Sequence, residues 1–130
     1  MPTRKILGGK IHRATVTQAN VDYEGSLTIP PDLLSAAGMV PYELVHVWNV
    51  TRGTRLQTYT ILGQPDSRDI CANGAAAHLV HPGDRVILAT FLYLTEEERA
   101  RHTPKLVFVD HENEIAHLGP EVAGPQVRQN

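Results

Sequence analysis

Two runs of β-branched and aromatic residues flank a tight turn in LVHVWNVTRGTRLQTYTIL, residues 44–62. Such runs are typical of strands, and a short glycine-containing segment between them is typical of a hairpin turn. We therefore predict strands over residues 44–50 and 55–62, joined by a turn over residues 51–54. This hairpin is the clearest strand pairing that the sequence indicates.

Further strand signals lie on both sides of the hairpin, separated by proline, glycine and polar residues. We predict strands over residues 10–17, 26–29, 85–94 and 105–110, and short helices over residues 32–37, over residues 73–78 and after Thr95, which forms a capping-box pattern with Glu98. Many short strands linked by tight turns favour a small closed barrel. The expected fold is a mainly β barrel with short helices.

Length, composition and charge limit the possible classes of function. The chain has 130 residues, of which 42% are hydrophobic and 20% charged, an ordinary composition for one globular domain. With 12 basic and 14 acidic residues the formal net charge is −2, without the basic excess typical of nucleic-acid binding. We expect a single domain over residues 1–118 and a flexible tail over residues 119–130.

The sequence shows no targeting, membrane or metal signal. It lacks an apolar run long enough for a signal peptide or a membrane span. Cys71 is the single cysteine and has no internal disulfide partner, which fits a reducing compartment. The 7 histidines form neither an HExxH motif nor a cluster with cysteine, so we expect no metal site. The expected protein is soluble and cytoplasmic, with no membrane partner.

Strand alternation groups several polar side chains. In the hairpin, Arg55 and Tyr59 share a face, whereas Thr58 points to the opposite one. In the first predicted strand, Lys10 and His12 share a face. A lysine beside a histidine is able to hold a carboxylate, and an ordinary solvated strand face is the alternative interpretation.

The dipeptide Gly25-Ser26 is a candidate site of self-cleavage. A serine hydroxyl held against the carbonyl on its N-terminal side is able to attack it and turn the amide into an ester. Glycine on the acyl side leaves that carbonyl open and tolerates strained backbone angles. β-Elimination and hydrolysis would then leave a pyruvoyl group in place of Ser26. Alone, Gly-Ser is an ordinary turn dipeptide, so the hypothesis depends on the rest of the sequence.

Five blocks of sequence support this hypothesis together. They are Lys10-Ile11-His12-Arg13-Ala14, Tyr23-Glu24-Gly25-Ser26, Trp48-Asn49-Val50-Thr51, Arg55 with Thr58-Tyr59, and Asn73-Gly74-Ala75-Ala76-Ala77-His78. In order and spacing, these blocks resemble the pyruvoyl-dependent aspartate 1-decarboxylases from residue 3 to residue 118. Residues 64–67, Gln-Pro-Asp-Ser, keep only the serine of the family's Glu-Arg-Gly-Ser, and the tail is also unlike the family's. These departures concern loop geometry and assembly contacts more than the chemistry.

The resemblance implies a fold, an activity and a cofactor. The fold is a double-psi β-barrel in a homotetramer with active sites at subunit interfaces, and the activity is conversion of L-aspartate to β-alanine and CO2 for pantothenate biosynthesis. Self-cleavage would give a short chain, residues 1–25, and a long chain, residues 26–130, that begins with a pyruvoyl group derived from Ser26. Its ketone would form an imine, or Schiff base, with the substrate amine and accept electrons as CO2 leaves. The resemblance leaves open whether a maturation partner is needed.

The resemblance also implies roles in cleavage and catalysis. Ser26 is the nucleophile and the pyruvoyl precursor, and Tyr59 is the proton donor to the intermediate. Thr58 is expected to bond the Gly25 carbonyl during processing and to lie in the substrate pocket. Because Thr58 points away from Arg55 and Tyr59, a bulge or a strong twist must bring these residues together, or one role is misassigned.

A basic, amide-lined pocket for the substrate is implied as well. Arg55 would bind a substrate carboxylate through its planar guanidinium, and Lys10 and His12 would complete the basic pocket. The residues expected to line the pocket and to orient the pyruvoyl group and the substrate are Asn73, Gly74, Ala75 and Ala76. A plain turn is the alternative interpretation of Asn73-Gly74.

Other functions stay open at this point. Residues 25–38 also resemble the strand-Ile-Pro-helix unit of AbrB-like DNA-binding domains, in which Gly25-Ser26 would be only a turn. The net charge and the chain length disfavour that dimeric regulator. An unprocessed barrel that acts only in assembly is a further alternative. A serine hydrolase is disfavoured because Ser26 lacks a G-x-S-x-G motif.

Overall fold

The computed structural model describes residues 1–124, which form nine strands, two α-helices and one 3₁₀ helix. The strands are β1 (Thr3–Thr15), β2 (Gln18–Asn20), β3 (Ser26–Ile29), β4 (Leu44–Asn49), β5 (Arg55–Leu62), β6 (Cys71–Asn73), β7 (Arg85–Thr95), β8 (Lys105–Val109) and β9 (Ile115–Leu118). The helices are α1 (Pro31–Ala36), the 3₁₀ helix (Gly74–His78) and α2 (Glu96–Ala100). None of these described helices is long and apolar enough to cross a membrane.

The nine strands form one mixed sheet with the order β2-β6-β3-β5-β4-β7-β1-β8-β9. The strand β3 pairs in parallel with β5 and antiparallel with β6, so its backbone is held on both sides. The strand β1 is likewise antiparallel to β7 and parallel to β8. This mainly β, barrel-like arrangement with short helices confirms the expected fold class.

The predicted hairpin of residues 44–62 is present. Its strands β4 and β5 pair antiparallel, with Trp48 opposite Arg55. Val45 and Val47 are buried, whereas Trp48 is half-buried on the other face of β4. Because alternate side chains of a strand point to opposite faces, the hairpin presents an apolar face to the core and an aromatic, polar face outward.

The core is aliphatic and is covered on one side by α1. Side chains that are fully buried include Ile11, Leu27, Ile29, Leu33, Ile70 and Leu88. Each such side chain contributes about 1.5–3 kcal/mol of hydrophobic free energy. The helix α1 begins with proline at its first position, where a missing backbone N–H costs nothing, and its Leu33 and Leu34 point into the core.

Gly9 allows the end of α1 to pack directly against β1. A Cβ built on Gly9 would lie 1.8 Å from the carbonyl oxygen of Ala37, far inside van der Waals contact. Position 9 must therefore be glycine for the helix to approach this closely. The same strand carries Lys10 and His12 next to the contact.

A buried carboxylate, Asp84, joins the hairpin turn to the turn before β7. Its Oδ2 accepts hydrogen bonds from Asn49 Nδ2 at 2.8 Å, from Arg52 Nε at 2.8 Å and from the His81 amide at 2.9 Å. Burial opposes ionisation of Asp84, but the bonds from Asn49, His81 and Arg52 outweigh it, and its pKa is lowered below 3.8. We call Asp84 with these three donors the Asp84 cluster.

Three short strands and the first part of β1 were not predicted. The strands β2, β6 and β9 have only three or four residues each, too few to show an alternation pattern. The strand β1 begins at Thr3 rather than at residue 10, because Gly8 and Gly9 weaken the strand signal. The last strand ends at Leu118, and residues 125–130 of the predicted tail lie outside the described residues.

Candidate active site

Ser26 begins β3 and is buried beside Asn73. Only 5% of Ser26 and 7% of Asn73 is exposed. The two residues are direct partners in the antiparallel pairing of β3 with β6. The Asn73 Nδ2 atom donates to Ser26 Oγ at 3.2 Å and to Thr28 Oγ1 at 3.3 Å. Because the Ser26 hydroxyl accepts this hydrogen bond, its own proton stays available for transfer.

Gly74 brings the backbone of the 3₁₀ helix against Gly25. It has a φ of +65°, and a Cβ built on it would lie 2.6 Å from Gly25 Cα and 2.8 Å from Gly25 N. Glycine both adopts this left-handed conformation at little cost and leaves room for the contact. The peptide bond between Gly25 and Ser26 therefore lies where the 3₁₀ helix meets the start of β3.

The side chain of Asn73 does not cap the 3₁₀ helix, although asparagine is a favoured residue at the N-cap position. Asn73 occupies the N-cap position without a side-chain cap hydrogen bond, and its carboxamide is turned towards β3 instead. The hydroxyls of Ser26 and Thr28 accept hydrogen bonds from this amide group, which therefore lies away from the helix. Ala75, which is exposed, and Ala76, which is half-buried, follow in the first turn of the 3₁₀ helix.

The strand β5 aligns Tyr59 with Ser26. In the parallel pairing of β3 with β5, Leu27 lies opposite Thr60. One residue earlier along both strands, Ser26 aligns with Tyr59. Residues that are aligned on neighbouring strands share a face of the sheet, so Tyr59 lies on the face that carries Ser26 and Asn73.

Thr58 lies on the face of β5 opposite to that of Arg55 and Tyr59. From Arg55 to Thr60 exposed residues of β5 alternate with less exposed ones, and its pairings with β3 and β4 contain no register shift. The bulge considered from sequence is therefore not present in β5, and Thr58 points away from Arg55 and Tyr59.

Arg55 lies on the outer face of β5, stacked on Trp48. The guanidinium carbon is 5.5 Å from the centre of the Trp48 ring, within the range of a cation–π contact. Both line a groove of about 470 Å³ whose other lining residues are Lys5, His46, Leu56, Gln57 and Phe91. No carboxylate of residues 1–124 forms an ion pair with Arg55, so its charge is available to an anion.

His46 lies between the aromatic rings of this groove. Its ring meets the edge of Phe91 at 5.2 Å and is 6.2 Å from Trp48. Burial lowers the pKa of His46 below 6.5, and the nearby Lys5 ammonium lowers it further. His46 is therefore mainly neutral at pH 7, and the positive charge of the groove comes from Lys5 and Arg55.

Lys10 and His12 lie apart from Arg55 within one chain. The strands β4 and β7 separate β1 from β5, which corresponds to about 14 Å along the sheet at the usual strand spacing. The Lys10 ammonium forms an ion pair with Glu121, and the His12 ring packs at 5.3 Å from Phe108. One chain therefore does not bring these residues to Arg55.

Comparison with known proteins identifies the family of the chain. The profile of the family described as Aspartate decarboxylase matches residues 2–116, most of the sequence. The chain belongs to the aspartate decarboxylase family.

Curated relatives in the aspartate decarboxylase family match nearly the whole chain, and each is named aspartate 1-decarboxylase. One from Rhodopirellula baltica is 62% identical over 129 residues, which cover 99% of this chain and 83% of the relative. One from Legionella pneumophila strain Lens is 58% identical, covering 95% of this chain and 93% of the relative. One from Myxococcus xanthus is 56% identical, covering 96% of this chain and 97% of the relative. These matches confirm the resemblance, and none favours the DNA-binding alternative.

In this member of the aspartate decarboxylase family, four of the predicted site residues lie at one peptide bond. They are Gly25, Ser26, Asn73 and Gly74, with Ala75 and Ala76 in the adjoining turn. Arg55 lies two outward positions from Tyr59 along β5. Sequence analysis missed Thr28 and Trp48 as site residues. Alternation from Ser26 would have indicated Thr28, and the hairpin register would have indicated Trp48.

Proposed function

We propose that this chain is an aspartate 1-decarboxylase that converts L-aspartate to β-alanine and CO2 with a pyruvoyl group made from its own Ser26. The observation that carries the proposal is the buried Ser26 hydroxyl, held by Asn73 beside the close contact of Gly25 with Gly74, in a chain of this family. Pantothenate biosynthesis in the cytoplasm is the corresponding cellular role.

Self-cleavage begins when Ser26 Oγ attacks the carbonyl carbon of Gly25. The C–N bond breaks as the C–O bond forms, which frees the amine of Ser26 and leaves an ester. Removal of the Ser26 α-proton then breaks the Cβ–O bond and releases Gly25 as a carboxylate. Hydrolysis of the resulting dehydroalanine releases ammonia and leaves a ketone, so no oxidant is needed. Thr58 supplies the hydroxyl that stabilises the first oxyanion.

The residues around Ser26 fit the pyruvoyl group. The Asn73 amide already donates to the oxygen of the precursor, and both of these amide hydrogen bonds go to neutral hydroxyls. A pyruvoyl group at this position would supply a ketone for covalent binding of the substrate amine and for uptake of electrons as CO2 leaves. Asn73 and the adjoining turn of residues 74–76 would hold and orient it.

Arg55 and Tyr59 act on the substrate from the same face of β5. The guanidinium of Arg55 binds a substrate carboxylate, for which its planar donors and the stacking on Trp48 fix the orientation. Tyr59, one residue before the partner of Leu27 in the β3–β5 register, returns a proton to the α-carbon after CO2 has left. The outward position of both residues supports access by a small dianion.

We further propose a homotetramer in which Lys10 and His12 complete the pocket from an adjacent subunit. Their distance from Arg55 along the sheet of one chain favours a pocket formed by two chains. Exposed apolar residues near the same face, including Tyr42, Leu44 and Tyr93, fit a surface covered by another subunit. A maturation partner remains compatible with this arrangement.

The intact mass of the purified chain under denaturing conditions tests the proposal. We expect two fragments, residues 1–25 and residues 26–130, the larger with a ketone in place of its amine. β-Alanine production from L-aspartate should follow the fraction cleaved. A single full-length mass, even after incubation with extract of the source cells, together with no β-alanine, would contradict the proposal and favour a non-catalytic barrel.

A further inference from the structure

Thr28 is a second hydroxyl on the same carboxamide that holds Ser26. The Asn73 Nδ2 atom, which carries two hydrogens, lies 3.2 Å from Ser26 Oγ and 3.3 Å from Thr28 Oγ1. Ser26 is the direct partner of Asn73 across the antiparallel pair, and Thr28 is its diagonal neighbour on the same face. Both amide hydrogens of Asn73 are therefore used by β3.

The position of Thr28 is fixed from several sides. Its backbone lies opposite Ile61 on β5 and opposite Cys71 on β6, so β3 is held on both edges at this residue. Its methyl group faces Gly63, where an added Cβ would lie 3.4 Å away. A β-branched side chain has few rotamers, and the one observed directs the hydroxyl to Asn73.

The Thr28 hydroxyl anchors the end of the carboxamide that faces Ser26, because it accepts the second amide hydrogen. An asparagine side chain can rotate by half a turn and exchange its donor and acceptor ends. With the amide group towards β3, Ser26 accepts a hydrogen bond and keeps its proton for transfer. With the oxygen towards β3, the Ser26 hydroxyl would instead donate its proton to Asn73 and be held in a less reactive state.

Only one of these two hydroxyls survives conversion of Ser26. The Ser26 oxygen leaves with Gly25, whereas Thr28 is unchanged in the processed chain. Thr28 is then the remaining side chain of β3 that fixes the Asn73 donor. We propose that Thr28 is a positioning residue that orients the Asn73 amide, first for self-cleavage at Ser26 and afterwards for the reaction; this inference rests on the proposed function.

The test compares Thr28→Val with Thr28→Ser. Valine keeps the shape and removes the hydroxyl, whereas serine keeps the hydroxyl. We expect Thr28→Val to slow self-cleavage at least about tenfold, because one buried amide hydrogen loses its acceptor. Thr28→Ser should cleave within about threefold of the wild-type rate, since the acceptor is retained. The rate is measured by intact mass at intervals after purification of the uncleaved chain.

Thr60→Val is the matched control. Thr60 is a fully buried threonine on the neighbouring strand, and its hydroxyl donates to the Val40 carbonyl rather than to Asn73. If loss of any buried hydroxyl slows cleavage through stability alone, Thr60→Val and Thr28→Val will behave alike. That result, or wild-type cleavage by Thr28→Val, would overturn the inference.

The side-chain amide protons of Asn73 provide a readout that does not need cleavage. In NMR spectra, Thr28→Val should shift one of the two protons and speed its exchange with water, whereas Thr28→Ser and Thr60→Val should not. An unchanged Asn73 amide in Thr28→Val contradicts the inference even where cleavage is slow. A wild-type chain that never cleaves contradicts the proposed function instead, and the amide spectrum still decides the role of Thr28.

Discussion

Two buried polar clusters in this barrel use an asparagine amide as donor to different kinds of acceptor. In the Asp84 cluster, Asn49 donates to a carboxylate that accepts three hydrogen bonds of 2.8–2.9 Å. Around Asn73, two neutral hydroxyls share one amide at 3.2–3.3 Å. Charge-assisted hydrogen bonds are shorter and roughly twice as strong as neutral ones. The first cluster is therefore suited to stabilise the fold, and the second leaves a hydroxyl able to react.

The difference shows where a reactive group is tolerated in a small core. A charged, fully bonded cluster resists change, because removing any partner leaves a buried charge uncompensated. A neutral cluster loses less stabilising free energy when one oxygen leaves. The oxygen of Ser26 must leave during cleavage. The comparison predicts that changes near Ser26 alter chemistry, whereas changes near Asp84 alter stability.

The largest expected effect comes from Ser26→Ala. This change removes the nucleophile and one neutral hydrogen bond, so cleavage and β-alanine formation should be abolished while the fold persists. Intact mass, an activity assay and circular dichroism measure the three properties. Ser35→Ala, an exposed serine in α1, is the control and should cleave normally. A cleaved, active Ser26→Ala protein would remove the basis of the proposed function.

The next effect is expected for Gly74→Ala. The new Cβ would meet the Gly25 backbone at 2.6 Å and displace the bond to be cleaved, so cleavage should slow about a hundredfold or more. Gly53→Ala is the control, since Gly53 has a φ of +76° but no atom within 4 Å of the added Cβ. Both variants carry the left-handed strain, and only one has the clash. Equal cleavage rates would show that the contact with Gly25 is unimportant.

The sequence was sufficient for the parts of the site that depend on local patterns. Alternation correctly placed Arg55 and Tyr59 on one face of β5 and Thr58 on the other. The family resemblance indicated Gly25 and Ser26. A regular strand leaves such a clear pattern because its side-chain period is two and its outer face is polar.

The contacts that complete the site depend on packing between distant segments. The three-residue strand β6 carries Asn73 opposite Ser26, and nothing in so short a stretch predicts its register. A short helix beginning after asparagine predicts a side-chain cap. Here the Asn73 side-chain amide donates instead to the hydroxyls of Ser26 and Thr28, which lie far away in sequence.

Asp84→Asn should have the largest effect on stability. The change removes a carboxylate that is 2% exposed and paired with Arg52, and we expect a loss of about 3 kcal/mol in the free energy of unfolding. Urea unfolding in the Ser26→Ala background avoids interference from cleavage. Asp66→Asn, an exposed change, is the control. Slower cleavage with unchanged stability would contradict the contrast between the clusters.

The pH dependence of this stability has a definite sign. Because the folded pKa of Asp84 lies below the ordinary value of 3.8, its contribution is present above that pH and is lost as the pH falls through the folded pKa. The difference in unfolding free energy between wild type and Asp84→Asn should therefore shrink below about pH 4. A difference that stays constant down to pH 2 would show that the ionised carboxylate is not its source.

Arg55→Ala tests a charge that is exposed rather than bonded within the fold. Self-cleavage should be nearly unchanged, whereas KM for L-aspartate should rise about tenfold to a hundredfold through loss of a charged hydrogen-bond donor. Arg101→Ala, an exposed arginine in the turn after α2, is the control. A large loss of cleavage in Arg55→Ala would show that Arg55 belongs to the processing machinery.

The smallest effect is expected for Glu121→Gln, which removes a charge pair at the surface. The Lys10 side chain is 12% exposed and that of Glu121 is 52% exposed, so the pair should contribute at most about 1 kcal/mol, unlike the buried Asp84. If Lys10 binds a substrate carboxylate, Glu121 competes with the substrate, and its removal should lower KM about twofold to fivefold without changing kcat. Glu112→Gln, another exposed change, controls for net charge. A higher KM in Glu121→Gln alone would mean that Glu121 holds Lys10 in its working position, and the tail would then support substrate binding instead of opposing it.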